Sequence, residues 1–425
     1  MNLIGKKLLV LGGTNMSCEI VQKAKELGLY VIVADYDENA PAKIIADKAS
    51  MVSATDVDAV VNLIKEEGID GILTGFIELL LPFYQQICEK AKLPCYATKE
   101  QIEIATNKVK FKQICRDFNI PVVEEFQINL PISKINCENI SYPVLIKPID
   151  NTAGRGISIC SNIDELTKNF EKSLSYSPSK QVIVERYMPW KEATIFYTAQ
   201  DGNIFLTAIA DRHMKNSQNN SIPLPVAYTF PSEYLEDYID ALDSKVINMF
   251  KSIGIQNGLI FIQSFVKDGK FVFYEMGFRL TGSLEYHVLS KTNNINILEH
   301  LIHFAITSKM SDNPLYNKIV PYSEKYGGNI TFLLKPGEIG RIDGESEILE
   351  LPEVTSCFIS YEEGDVIPDR AVGTLLQVIA RVFFVTNSKL ELINVMNAIH
   401  GIFRVYSEDG QNMLLKTLDT KELLN

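Results

Sequence analysis

The sequence predicts a multidomain protein of the α/β and α+β classes, and three observations carry this prediction. The chain has 425 residues, enough for two to four domains of ordinary size. Short apolar strands alternate with helices over residues 1–104, which is typical of a parallel sheet covered by helices. Hairpins mixed with helices follow, and the chain becomes rich in strands again from about residue 325.

Residues 1–104 are predicted to form the parallel α/β domain. Its strands are the apolar runs KLLVLGG, YVIVADYD and IDGILTG. The segments between them, such as SCEIVQKAKELG and DVDAVVNLIKEEG, have helical spacing of apolar residues and end at a glycine, a common C-terminal stop. This order of elements predicts parallel strands joined by helical crossovers.

Residues 105–315 are predicted to form an α+β core, and residues 316–425 a small strand-rich C-terminal domain. An amphipathic helix, TNKVKFKQICRDFNI, opens the core, and a smaller lobe is expected over about residues 112–188. Two hairpins follow, with turns at Asp201-Gly202 and Asp268-Gly269, because Asp-Gly pairs favour tight turns. The last domain combines strands such as GTLLQVIARVFFV with the helix SKLELINVMNAIHGI.

Composition and charge argue against several classes of protein. The net charge of −12 argues against nucleic acid or an anionic membrane as the main partner, although a local basic pocket can still bind a small anion. The seven cysteines contain no C-x-x-C pair, which is typical of reduced thiols. Because no apolar run reaches the length of a membrane span and no signal peptide is apparent, we expect a cytoplasmic protein.

A glycine turn follows the first strand and opens a helix. Gly12 and Gly13, with Asp35 at the end of the next strand, partly match a dinucleotide fingerprint, but the third glycine of that pattern is absent. A tight strand–helix turn explains the same residues.

Lys147 lies in the apolar strand VLIKP and precedes the loop NTAGRG at residues 151–156. A buried lysine is unfavourable unless an anion pairs with it. The loop offers free backbone N–H groups and Arg155, which suit phosphate oxygens. The alternative is a lysine on the solvent side of the strand, followed by a hairpin turn.

Carboxylates follow or end two further strands. Glu185 and Glu192 flank the segment after VIVERYM, where a connecting strand can bind an adenine edge and a carboxylate can bind ribose hydroxyls. Gln263 and Glu275 lie on the two arms of a hairpin, and their oxygens suit Mg²⁺. Arg279 follows four residues after Glu275 and could stabilise a phosphoryl group. Solvated glutamates and a buried Glu275–Arg279 ion pair are the alternatives.

The histidine spacing does not suggest zinc. His300 and His303 share a helical face but have no third partner, and the sequence has no H-E-x-x-H motif. It also lacks a G-x-S-x-G motif and a Walker P-loop.

These motifs, in this order, resemble the ATP-grasp superfamily of ligases over nearly the whole chain. Biotin carboxylase, carbamoyl phosphate synthetase halves, purine-pathway enzymes and L-amino-acid ligases are the most similar branches. The resemblance implies a pre-ATP-grasp domain at 1–104, the ATP-grasp core at 105–315 and a carboxylase-like small domain at 316–425. It also implies ATP and Mg²⁺, with Mn²⁺ as an alternative ion, and a homodimer is expected from the relatives.

The resemblance implies a role for each candidate residue. Residues 151–156 would be a lid over the phosphates. Arg279 and Arg155 would act on the reacting phosphoryl group, while Glu275 and Gln263 would hold the metal. The nucleotide would be bound by Lys108, Lys147, Gly154, Gly156, Glu185, Tyr187, Met188, Glu192, His213 and Gln263.

One departure concerns the metal motif, where Gly277 stands in place of the usual asparagine. The reaction that we expect is ATP-dependent ligation of a small carboxylate to an amine through an acyl phosphate, with release of ADP and phosphate. The alternatives are bicarbonate or a purine-pathway intermediate as the carboxylate, an NAD(P)-dependent oxidoreductase, and a nucleotide-binding protein without catalysis. The expected partners are small molecules, not nucleic acid or membrane.

Overall fold

In the computed structural model, the N-terminal part of the chain forms a parallel sheet with strand order β3-β2-β1-β4. The structure describes residues 3–126, 128, 140–150, 156–215, 223–292, 295–315 and 318–424. The central strands are buried along nearly their whole length, as their continuous apolar sequences require. The strands are β1 (Lys7–Leu11), β2 (Tyr30–Ala34), β3 (Lys48–Ser50) and β4 (Gly71–Leu73).

Helices connect these strands and lead into the core. Asp56 caps the third helix by accepting from the backbone N–H of Ala59, and Gly68 ends it in the left-handed conformation. The helices up to the core are α1 (Asn15–Glu26), α2 (Pro41–Ile45), α3 (Val57–Glu67), α4 (Leu81–Ala91), α5 (Lys99–Thr106) and α6 (Lys108–Asp117).

A small antiparallel sheet with strand order β5-β8-β6-β7 follows. One helix covers it and buries Leu166 and Phe170 against the sheet. The elements are β5 (Glu125–Phe126), β6 (Val144–Pro148), β7 (Ser158–Cys160), α7 (Ile163–Ser175) and β8 (Val182–Arg186).

The largest sheet has eight strands in the order β13-β12-β9-β10-β11-β14-β18-β16, and all of its pairs are antiparallel. It joins strands of the predicted core to strands of the predicted C-terminal domain through the β11–β14 pair. The strands are β9 (Lys191–Gln200), β10 (Asn203–Lys215), β11 (Leu224–Phe230), β12 (Gly258–Lys267), β13 (Lys270–Gly277), β14 (Tyr326–Leu333), β16 (Val354–Ile359) and β18 (Val378–Thr386).

Both predicted hairpin turns are present in this sheet. Asp201 and Gly202 join β9 to β10, and Asp268 and Gly269 join β12 to β13, all four with positive φ. Two successive residues of positive φ match the strand twist, which explains why Asp-Gly pairs occupy these turns.

The remaining elements cover the large sheet and complete the C-terminal part. A three-stranded sheet has the order β17-β15-β19. Its strands are β15 (Gly337–Asp343), β17 (Val366–Ile367) and β19 (Arg404–Ser407). The remaining α-helices are α8 (Leu235–Tyr238), α9 (Ser244–Ser252), α10 (Tyr286–Thr292), α11 (Ile297–Thr307), α12 (Glu345–Leu349) and α13 (Lys389–Ile402).

Side chains alternate between the two faces of the large sheet, and the faces differ in chemistry. We call the face that carries Arg212, Tyr228 and Asn329 the site face; these residues lie side by side on β10, β11 and β14. We call the opposite face, which carries His213 and Thr229, the reverse face. Helix α13 packs on the reverse face, where its C-terminal end meets Phe332.

The predicted combination of a parallel α/β sheet with antiparallel α+β sheets is confirmed. The domain boundaries at residues 104 and 315 and the lobe at about 112–188 stay predictions. None of the described helices is both long enough and apolar enough to cross a membrane.

Candidate active site

A buried carboxylate on β8 holds two buried lysines. Lys147 of β6 places its Nζ 2.7 Å from Glu185 Oε2, and Lys112 of α6 bonds Oε1 of the same carboxylate. Lys112 also lies 3.3 Å from Glu125 of β5. The side chains of Lys112, Lys147 and Glu185 are at most 6% exposed, so solvent screens these charges weakly. The carboxylates therefore fix two cations at one edge of the small sheet.

The pKa values in this cluster follow from burial and charge. Burial alone would raise the pKa of Glu185, but Lys147 and Lys112 more than offset it and hold the pKa below its ordinary value. Burial lowers the pKa of Lys147, and the neighbouring Lys112 and Lys108 lower it further against the opposing effect of Glu185. Lys147 is thus a cation that a further negative charge would stabilise.

Glu275 of β13 lies directly opposite Gln263 of β12. Its Oε1 is 3.4 Å from Nζ of Lys108, the first residue of α6, and its side chain keeps 26% of its surface exposed. Burial would raise the pKa of Glu275, but Lys108 and Lys147 reverse this and lower it. An ionised, accessible carboxylate beside an amide oxygen fits Mg²⁺, which keeps most of its other positions for water and phosphate.

This donor set is small. Among the described residues, no three histidine, cysteine or carboxylate side chains are grouped so that they could hold a metal ion. Gly277 of the metal motif is buried, and an added Cβ would come within 2.3 Å of the ring of Phe261. The close packing explains why a glycine occupies this position, where a larger ligand residue would collide with the ring.

Arg279 does not form the ion pair with Glu275 that was one alternative from the sequence. Its Nη2 lies 2.7 Å from Oε2 of Glu78, in the turn that precedes α4. Glu78 and Arg279 are only 9% and 12% exposed. Arg279 is therefore positioned by a residue of the N-terminal part, and Glu275 remains free for another cation.

Glu192, the predicted ribose ligand, lies on the site face and is the centre of a polar triad. Its Oε2 accepts hydrogen bonds from Arg212 and from the hydroxyl of Tyr274, the latter at 2.7 Å. Arg212 also donates to the hydroxyls of Tyr228 and Tyr274, each at 2.9 Å. Lys147 lies 5.8 Å from the centre of the Tyr274 ring, so the triad adjoins the lysine cluster.

His213 lies on the other side of the sheet from this triad. Its Nε2 is 2.9 Å from Oγ1 of Thr229, and it lines a cavity of about 510 Å³ on the reverse face. Burial lowers the pKa of His213 to about 4, which keeps it neutral. The expectation that His213 contacts nucleotide phosphates does not agree with this placement, because Arg212 and His213 are consecutive on β10 and point to opposite faces.

The structure places the remaining nucleotide candidates around the end of β8. Tyr187 and Met188 follow this strand and are half-buried. Gly156 is buried with a φ of +77°, and its carbonyl accepts a hydrogen bond from Ser173. Gly154 and Arg155 lie outside the described residues, as does the rest of the loop at 151–155, so the lid and its arginine stay predictions.

The glycine turn after β1 is held by the acidic residue of the next strand. The backbone N–H of Gly13 donates to Asp35 Oδ2 at 2.7 Å, and Asp37 N–H donates to Oδ1 at 2.9 Å. An added Cβ at Gly13 would come within 2.6 Å of Ala40. The tight-turn explanation therefore accounts for Gly12, Gly13 and Asp35 without a dinucleotide.

Sequence reasoning missed Lys112, Arg212 and Tyr274. A signal existed for the lysine, because the buried residues of α6 are Lys108, Phe111, Lys112 and Cys115. That spacing marks one helical face, so two lysines lie on the apolar stripe. No comparable pattern distinguishes Arg212 or Tyr274 from other residues of an alternating strand.

Comparisons with known proteins agree with this arrangement. The family described as the ATP-binding domain of the carbamoyl-phosphate synthase L chain matches residues 107–313. A formate-dependent phosphoribosylglycinamide formyltransferase from Prochlorococcus marinus (strain MIT 9515) is 25% identical over 281 residues, which are 64% of this chain and 70% of the relative. The enzyme of that name from Sulfurisphaera tokodaii is 27% identical over 261 residues, 59% of this chain and 65% of the relative.

Solved structures share the fold over nearly the whole chain. The L-amino acid ligase from Bacillus licheniformis has a TM-score of 0.77 at 20% identity and covers 95% of this chain and 99% of its own. Phosphoribosylglycinamide synthetase from Anaerococcus prevotii has a TM-score of 0.72 at 19% identity, with 95% and 100% covered. The biotin carboxylase domain of Hydrogenobacter thermophilus 2-oxoglutarate carboxylase, in complex with MgADP, ADP and bicarbonate, has a TM-score of 0.75 at 18% identity, with 97% and 92% covered.

Proposed function

Because this chain is a member of the ATP-grasp superfamily of ligases, we propose that it joins a small carboxylate to an amine through an acyl phosphate. The observation that carries the proposal is the convergence of three buried lysines, Lys108, Lys112 and Lys147, on carboxylates beside the site face. A polyphosphate is the ligand whose charge matches such a cluster.

In the proposed first step, a carboxylate oxygen of the substrate attacks the γ-phosphorus of ATP. A P–O bond forms, the bond to the β-phosphate oxygen breaks, and ADP leaves. Lys147 and Lys108 hold the phosphates, because each is a buried cation whose charge is not fully compensated by one carboxylate. Positioning and charge neutralisation dominate such a transfer, so the protein needs no covalent step.

Glu275 and Gln263 would hold Mg²⁺ at the phosphate end of the site. The ion, when bound, supplies positive charge to the transferring phosphoryl group. Mn²⁺, which takes the same oxygen ligands, would serve as an alternative.

In the proposed second step, the amine attacks the acyl carbon, inorganic phosphate leaves, and an amide remains. The tetrahedral intermediate carries a negative oxygen, and Arg279 is the fixed guanidinium proposed to stabilise it. Glu78 positions that guanidinium. Glu185 contacts Lys112 and Lys147 through its two oxygens, so we propose that it positions Lys147 rather than binding adenine directly.

The nucleoside would lie between the segment after β8 and the site face. Tyr187 and Met188 offer backbone groups to the adenine edge, and Glu192 offers its carboxylate to the ribose hydroxyls. Tyr274 and Arg212 orient Glu192 through its Oε2. Gly154, Gly156 and Arg155 complete the proposal as parts of the lid.

The test is phosphate release from Mg·ATP in the presence of pooled amino acids. We expect amine-dependent formation of equal amounts of ADP and phosphate. Glu275→Gln should lower kcat at least about 100-fold, the scale seen when one charge-stabilising group is lost. Glu338→Gln, at an exposed position of β15, is the control. If no carboxylate–amine pair stimulates turnover, or Glu275→Gln leaves it unchanged, the proposal is wrong.

A second candidate is a purine-pathway reaction with formate as the carboxylate, which the names of the curated relatives favour. Formate-stimulated phosphate release with a phosphorylated glycinamide, and none with amino acids, would select it. Bicarbonate-stimulated release would select a carboxylase-like reaction instead. ATP binding without turnover under any condition would indicate a nucleotide-binding protein.

A homodimer is our expectation for the quaternary structure, since the Hydrogenobacter thermophilus domain is described as a dimer. Light scattering of the purified chain at micromolar concentration would measure it. A mass of 47.8 kDa would indicate a monomer.

A further inference from the structure

Arg381 on β18 is a buried cation without a partner. The residue is 5% exposed and lies opposite Thr331 of β14 and Phe358 of β16. Among the described residues, none forms a hydrogen bond or an ion pair with its guanidinium, and Nε is completely buried.

Every other buried cation discussed above has a carboxylate within reach. Lys147 pairs with Glu185, Arg212 with Glu192, and Arg279 with Glu78. Leaving a charge unpaired in the interior is strongly unfavourable, so a protein keeps such a group only where something else compensates it. Arg381 is the exception in this part of the molecule.

The nearest carboxylate that acts on Arg381 is already engaged. Glu285 accepts a hydrogen bond from the hydroxyl of Thr281, and burial raises its pKa, which favours the neutral acid. Burial also lowers the pKa of Arg381, although Tyr228 and Glu285 oppose this shift. The guanidinium thus has donors directed at a place where the protein supplies no anion.

Arg381 lies on the site face, in the same row of polar residues as the triad. Arg212 is opposite Tyr228 and Tyr228 is opposite Asn329, while Arg381 is opposite Thr331, two residues farther along β14. Asn329 Oδ1 and Thr331 Oγ1 are also buried without partners in the described part of the chain. Donors and acceptors without partners therefore lie side by side.

The row is linked to the loop that carries Arg279. Ser283, four residues after Arg279, lies 3.2 Å from the hydroxyl of Tyr228, and its carbonyl accepts from Asn329 Nδ2 at 3.1 Å. A ligand bound by Arg381 would lie on the same face as the proposed acyl phosphate and next to this loop.

We infer that Arg381 binds the oxyanion of the amine substrate, so that the enzyme takes anionic amines and discriminates against neutral ones. The inference rests on the proposed function and names its substrate class. The oxyanion is a carboxylate, as in an amino acid, or a phosphate, and either accepts the two-pronged hydrogen bonds of a guanidinium. Asn329 Oδ1 and Thr331 Oγ1 would accept from N–H groups of the same ligand.

The test compares an amine with its neutral analogue. The wild-type protein is first profiled for phosphate release with the twenty amino acids and with 2-aminoethyl phosphate. The best amino acid is then compared with its own amide in wild-type protein, Arg381→Met, Arg381→Lys and Arg341→Met. Arg341 is the control, because its side chain is 62% exposed and pairs with Asp343 on another sheet.

We expect Arg381→Met to lower kcat/KM for the anionic amine roughly 100-fold. The KM for ATP should change less than about two-fold, since removal of a group that contacts only the amine leaves nucleotide binding intact. Arg381→Lys should recover part of the loss, because it keeps the charge but not the fork geometry. Preference for the amino acid or for 2-aminoethyl phosphate would identify the oxyanion.

Two outcomes would overturn the inference. One is equal use of the amino acid and its amide by the wild-type protein; the other is an Arg381→Met variant with unchanged kcat/KM for the anionic amine. Either result leaves the proposed ligase reaction standing. If no amine is turned over, the proposed function fails, and calorimetric titration with inorganic phosphate and alanine decides the anion site: equal binding by wild-type and Arg381→Met protein would overturn it.

A folding defect can be separated from a binding defect. Because Arg381→Met removes an unpaired buried charge, its melting temperature should equal or exceed that of the wild type. Weak activity together with a lower melting temperature in Arg381→Met, but not in Arg341→Met, would indicate a structural role and count against the inference.

Discussion

The guanidinium of Arg279 is fixed by the carboxylate of Glu78, with Nη2 2.7 Å and Nε 3.2 Å from the same oxygen. Its Nη1 donates to the carbonyl of Leu280 at 2.8 Å, and its Cζ lies 5.2 Å from the centre of the Phe261 ring. Four contacts thus set the orientation of one arginine. Since Glu78 belongs to the N-terminal part, that part contributes to the chemistry proposed for the core.

Glu78→Gln should lower kcat by about 10- to 100-fold and leave the KM for ATP nearly unchanged, because the amide cannot hold Arg279 by charge. Steady-state phosphate release measures both parameters. Glu100→Gln, at an exposed position of α5, is a matched control and should behave as wild type. A variant at position 78 with full kcat would show that Arg279 needs no positioning by Glu78.

Lys112→Met should lower the free energy of unfolding by about 3–5 kcal/mol, since it leaves the buried carboxylate of Glu185 with one lysine fewer. Urea unfolding followed by circular dichroism gives the value. Lys110→Met on the same helix is the control: its ion pair with Glu103 is exposed, so its loss should change stability by less than about 1 kcal/mol. Similar effects of the two substitutions would contradict a buried pair at Lys112.

Lys147 should limit activity at alkaline pH. Burial lowers its pKa, so it loses its proton at a lower pH than an ordinary lysine, and the kcat/KM for ATP should fall along with it. Lys147→Arg keeps its charge, so any activity that remains should persist to higher pH. The pH profiles of the two proteins test this, and identical alkaline limbs would assign the fall to another group.

Much of the fold was predictable because it depends on local patterns. Continuous apolar runs gave the buried strands, and the Asp201-Gly202 and Asp268-Gly269 pairs gave both hairpin turns. The resemblance to the ATP-grasp superfamily is confirmed as well. These features require only neighbouring residues or a known order of motifs.

Partner choice was not predictable, because it depends on contacts between distant parts of the chain. Arg279 pairs with a residue 201 positions away, and Arg212 with one 20 positions away on the neighbouring strand. His213 shows the same limit: strand alternation separates its face from that of Arg212, but sequence alone does not say which face carries the site. The absence of a partner for Arg381 within the described residues is likewise a property of the packed sheet.

His213 and Asp211 should make opposite contributions to stability in mild acid. Burial lowers the pKa of His213 to about 4 and raises that of Asp211 to about 6. As the pH falls below about 6.5, the unfolded chain protonates His213 first, so this residue lowers stability until the pH reaches about 4. Asp211 takes up a proton first in the folded state, so its contribution is present in acid and is lost as the pH rises through about 6.

Substituting one of the two residues should expose the contribution of the other. Relative to its own value at pH 7.5, the stability of His213→Gln should rise above that of the wild type on acidification, by up to about 3 kcal/mol at pH 4, with about 1.4 kcal/mol for each pKa unit. Asp211→Asn should show the opposite trend. Urea unfolding from pH 7.5 to 4 measures both differences, and parallel curves for wild type and His213→Gln would mean that His213 protonates equally in the folded and unfolded states.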